Sequence, residues 1–177
     1  MDHPSPAQHP WGAFKQKANA ALRASQPADT WKKHISLILE PSFFNHELLR
    51  LQWEKEQVRW FRSIWMKDED APKFLNPIES LKYTGTTIVP TIRILSGEFN
   101  ASDTEPLLAL IRNLSVKPYI DSDGAIMLDG CLHTLTIGTD NISTSYHWNH
   151  LPQEFTELDR VVELLTELIG RDENWRT

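Results

Sequence analysis

The sequence predicts an α+β fold: one domain with a mostly antiparallel sheet and packed helices, including an amphipathic C-terminal helix. Short alternating apolar runs separated by turn residues point to the sheet. Two Asp-Gly dipeptides, Asp123-Gly124 and Asp129-Gly130, punctuate those runs near the end of the chain, and both residues tolerate the positive φ of a tight hairpin turn. Phe155, Leu158, Val162, Leu165 and Ile169 then step by three or four, with Pro152 before them and Gly170 after them. That spacing and those boundary residues define a helix that buries one face.

Residues 1–10 hold three prolines and little apolar content, so the sequence predicts a flexible tail ahead of a domain over 11–177. Phe14, Ala18, Ala21 and Leu22 share one face of a short helix from Trp11 to Ala24, with Lys15, Lys17 and Arg23 outside. Ile35, Leu37 and Leu39 alternate into a first strand that Pro41 ends. Residues 46–66 fit two descriptions. Leu49, Leu51 and Trp53 followed by Val58, Trp60, Ile64 and Met66 make a hairpin, whereas the lack of Gly or Pro across 42–71 suits one long helix. The β-branched and aromatic run Val58 to Trp65 favours the hairpin.

Lys67 to Ser80 reads as a polar loop, and Thr86 to Leu95 as a strand held to an edge by Pro90, which cannot donate to a ladder. Ser102, Asp103 and Thr104 are candidate N-caps for a helix lined by Leu107, Ile111 and Leu114. Ser102 and Glu105 have capping-box spacing, with Pro106 placed in the first turn. A short segment at 116–120 follows, and then strands near 125–128, 131–137 and 142–148.

Hydrophobic content of 40% and charged content of 24% exclude wholesale disorder. Seven Trp residues supply a core, an interaction face, or both. The start of the chain lacks the basic and apolar regions of a secretory signal, and no apolar run is long enough to span a bilayer. A cytoplasmic protein without membrane attachment is therefore expected. The single Cys131 cannot form an internal disulfide, in keeping with a reducing compartment.

The net charge of -6 is unevenly spread: residues 1–67 carry 10 Lys/Arg against 6 Asp/Glu, and residues 68–177 carry 8 against 18. The plainer reading is a solvated acidic helix; if the division survives folding, one surface would instead repel nucleic acid and attract a basic partner. Arg59-Trp60-Phe61-Arg62 mixes cations with aromatics, but strand alternation splits them between two faces, so no stacking platform results.

Asp121-Ser122-Asp123-Gly124 suggests a calcium loop and fails as one, because Tyr119 and Gly130 would occupy ligand positions that need oxygen. His147 and His150 have His-x-x-His spacing, with Cys131 and His133 on a neighbouring strand. Zinc needs three or four convergent ligands. On a strand, His133 shares a face with Cys131, Leu135 and Ile137, opposite Ile142, Tyr146 and Trp148, and His147 points away. A hydrogen-bonded core His133 follows from that pattern. Cys131 with His133 also has the makings of a nucleophile and base, but no catalytic signature surrounds them. No cofactor motif occurs.

Leu128-Asp129-Gly130-Cys131-Leu132-His133, then Tyr146-His147-Trp148 and Leu151-Pro152-Gln153-Glu154-Phe155, resemble small bacterial proteins closed by a "DG" strand, a "Y-x-W" strand and a "P-x-x-[WF]-x-x-L" helix start. Some proteins of that kind are immunity proteins that neutralise a toxin. The resemblance covers residues 125–170 and implies a non-enzymatic protein-binding domain with a single protein partner. The partner surface is expected at Asp68, Glu69, Asp70, Trp65, His147 and His150. The competing reading is a small-molecule or metal-dependent enzyme or ligand-binding domain using His133, His147 and His150.

Overall fold

The computed structural model describes residues 10–26, 33–76, 88–115, 130–139, 142–149 and 156–170. Among them the chain runs α1 (Pro10–Ala24), β1 (Lys33–Pro41), β2 (His46–Glu54), β3 (Gln57–Trp65), α2 (Lys67–Leu75), β4 (Ile92–Phe99), α3 (Ala101–Asn113), β5 (Cys131–Thr139), β6 (Ser143–Trp148) and α4 (Thr156–Gly170). The strands form one sheet in the order β4-β3-β2-β1-β5-β6, antiparallel at every junction. The α+β class, the antiparallel sheet and the C-terminal helix are as the sequence predicts. The expected tail at 1–9, the segment at 116–120, the strand near 125–128, Asp123-Gly124, Asp129, His150, Pro152 and Phe155 lie outside the described residues.

Residues 46–66 form the hairpin and not the helix, with Leu51 paired to Trp60 and Trp53 to Val58. Lys55 turns the chain at φ 56°. Alternation then sorts the side chains. Ile35, Leu37, Leu49, Leu51, Val58, Trp60 and Leu135 face α3 and α4, which contribute Leu107, Leu108, Leu158, Val161, Leu165, Leu168 and Ile169. Leu48 and Trp65 face the other way, onto Phe14, Ala18 and Leu22 of α1. One face of the sheet thus packs under α3 and α4 and the other carries α1 on β2 and β3, giving two separate apolar clusters.

Four local expectations need correction. Residues 67–75 are helical, where a loop was expected. Asp68, Glu69 and Asp70 occupy the first turn of α2, where carboxylates offset the positive helix end. The buried contacts of Asp70 hold the element despite Pro72. β4 begins at Ile92 and reaches Phe99, because Thr91 is tied to α2: its amide donates to Asp70 Oδ2 and its carbonyl accepts from Met66 N. The strand does sit at a sheet edge, but Pro90 precedes it. α3 begins at Ala101 with Asn100 as its N-cap, so Ser102 lies inside the helix and forms no capping box, and Pro106 falls in the second turn. Ile142 is exposed, because it belongs to the β5–β6 turn, where its carbonyl accepts from Thr139 N.

Candidate partner-binding site

The β1–β2 turn, Ser42 to Asn45, presents two adjacent aromatic side chains to solvent. Phe43 is 69% and Phe44 72% exposed. Isolated exposed apolar residues are ordinary, whereas a neighbouring pair of large ones on a fixed turn is not. The turn is fixed from three sides. Ser42 donates from both N and Oγ to Gly130 O at 3.1 Å, Lys67 Nζ donates to Ser42 O at 2.5 Å, and Asp68 N donates to Asn45 Oδ1 at 3.3 Å. Burial, with Lys15 nearby, lowers the Lys67 pKa, and Asp68 opposes that shift.

These tethers set Phe43 and Phe44 beside the first turn of α2, where Asp68 and Glu69 are exposed. Glu69 pairs with Arg93 on β4. Leu132 of β5, also exposed, pairs in the ladder with Glu40 of β1 at the same end of the sheet. The turn and the α2 N-terminus therefore make an apolar tip with an acidic flank.

Of the residues expected at the partner surface, Asp68 and Glu69 are here. Trp65 and Asp70 stand behind them, each with no exposed area. The indole Nε1 of Trp65 donates to Asp70 Oδ2 at 2.9 Å. Asp70 also accepts from Thr91 N and Oγ1 and from Lys73 Nζ. Burial alone would raise its pKa, but the hydrogen bonds from Lys73, Thr91 and Trp65 outweigh burial and hold it below the ordinary carboxylate value. Both residues are structural supports for α2 and are out of a partner's reach. An aromatic at a strand end and an acid in a charged run give no sequence sign of this pairing.

His147 is exposed at the far edge strand, with Nδ1 3.0 Å from Thr134 Oγ1. His133 lies on the opposite face of the sheet, since it pairs with Trp148 in the ladder while Thr134 pairs with His147. The two imidazoles do not converge, and among the described residues no cluster of three His, Cys, Asp or Glu could hold a metal. His133 stacks on Trp148 at 5.3 Å and 4°. Among the described residues its Nδ1 is buried without a hydrogen-bond partner, and the stacking on Trp148 seats the ring. Burial, reinforced by Glu40 and Glu47 and opposed by a backbone hydrogen bond at Glu40, pushes the Cys131 thiol up. That is the reverse of what an activated nucleophile needs.

Patterning of the sequence passes over Phe43 and Phe44. Their signal is a Phe-Phe pair framed by Pro41, Ser42 and Asn45, residues that place it in a turn instead of a buried strand. Comparison with protein-family models, curated proteins and solved structures gave no match.

Proposed function

We propose that this chain is a non-enzymatic protein-binding protein whose anchor is the Phe43-Phe44 turn, flanked by Asp68 and Glu69. The observation that carries the reading is the pair of exposed rings on a turn tethered to Gly130, Lys67 and Asp68. Exposed aromatics on a rigid mount bind with little loss of conformational freedom, and large apolar side chains in a partner's pocket dominate interface energies. The acidic flank selects for a pocket with a basic rim.

The resemblance over residues 125–170 gives this reading its finer form: a cytoplasmic immunity-type protein whose single partner is a toxin. The test is affinity purification from the native cells in mild salt, repeated after crosslinking. One stoichiometric protein partner is expected. Expressed alone in a host, that partner should arrest growth, and co-expression of this chain should restore it. Recovery of the chain by itself after crosslinking would overturn the binding reading. A partner harmless when expressed alone would leave binding in place and remove the immunity form.

A further inference from the structure

Helix α1 rests on an apolar cluster of its own, separate from the main core. Phe14 meets Phe74 at 4.5 Å between ring centroids, and Trp11 meets Trp65 at 5.9 Å. At the edge of that cluster is a polar seat. His46 is fully buried, its Nδ1 lies 2.8 Å from Asn19 Oδ1 on α1, and its ring stands edge-on to Trp65 at 4.8 Å. With Asn19 accepting, Nδ1 carries the proton of a neutral ring. The other nitrogen, Nε2, is buried and receives no hydrogen bond among the described residues.

The charged surroundings of His46 are cationic. Lys15 comes from α1 and Lys67 from α2. Among the described residues, the carboxylates of the neighbouring elements have other partners: Asp70 has Trp65, Thr91 and Lys73, and Glu40 of β1 has Arg23. Glu47, on the opposite face of the sheet, is bound to Arg62, and Asp68 acts on Lys67. A second proton on the ring would thus be a buried charge beside two ammonium groups.

We propose that α1 is an acid-released cover, seated on the sheet by neutral His46 and lifted from the apolar surface of Leu48, Trp65 and Phe74 when that ring is protonated. The direction of the linkage is fixed. Burial, then Lys15 and Lys67, hold the seated ring at a pKa of about 4 against an ordinary 6.5, opposed by a hydrogen bond to the Pro41 backbone. The seat is intact above 6.5 and weakens as pH falls from there toward 4. Between about pH 7.5 and pH 5 the ratio of released to seated α1 rises on the order of 30-fold.

Hydrogen exchange with peptide-level mass spectrometry at those two pH values, corrected for the intrinsic pH dependence of exchange, tests it. The expected result is a ~30-fold loss of protection in residues 10–26, with β1 and β5 unchanged. Equal loss across the whole chain, or none in 10–26, would overturn the proposal. His46→Phe should abolish the pH response of 10–26; if it persists, His46 is not the seat. Should that variant not fold, the His46 ring titration followed by NMR in the native chain decides. A pKa near 4 supports the proposal, and one above 6 contradicts it.

Discussion

The carboxylate of Asp70 takes four hydrogen bonds, from Trp65, Lys73 and both the amide and hydroxyl of Thr91. Replacing it by Ala leaves the indole N–H and the Thr91 backbone N–H without their acceptor and takes the carboxylate from the Lys73 ammonium. Asp70→Ala should therefore lower stability in urea by about 3 kcal/mol, because removing one partner of a buried pair strands the other. Its depressed pKa gives the sign with pH: the contribution is full above the unfolded value of 3.8 and is lost as pH falls through the lower folded value. Gly97 offers a second test at this scale. A Cβ built there would meet Trp60 Nε1 at 2.6 Å, and Trp60 belongs to the main core. Gly97→Ala should cost about 1–3 kcal/mol in the same assay through displacement of the indole.

At the scale of elements, legibility followed local self-sufficiency. The β2–β3 hairpin was readable because its own alternation places Leu49, Leu51, Val58 and Trp60 on one face. α4 was readable because its apolar stripe is complete within itself. α2 was not: its charges and Pro72 read locally as a loop, and what holds it helical includes bonds from Asp70 to Thr91, 21 residues away. The start of β4 was hidden for the same reason. The hairpin turn carries its own prediction. Lys55 adopts φ 56°, a region that strains a residue with a Cβ. Lys55→Gly should raise stability by roughly 0.5–1 kcal/mol, measured as a higher urea midpoint at constant slope.

Across the whole molecule, α3 and α4 occupy one face of the sheet and α1 part of the other, and the Phe43-Phe44 turn stands at the end of β1 and β2. No helix among the described residues is long and apolar enough to cross a membrane. Of the candidate site, the exposed Asp68 and Glu69 were legible as a charged run. Trp65 and Asp70 were not separable from them, since burial is settled by α1 and Thr91, remote in sequence. Phe43 and Phe44 rank by hydropathy as core residues, and it is the tethers to Gly130, Lys67 and Asp68 that hold the turn outward. Their exposure means that Phe43→Ser with Phe44→Ser should leave folding stability within about 0.5 kcal/mol. The most direct test of the account is calorimetric binding of the co-purified partner to this double variant, with Ile142→Ser, an exposed apolar change at a different turn, as the control. A loss of affinity of roughly 100-fold or more is expected for the double variant and none for the control. Equal affinity of the double variant and the native chain would contradict it.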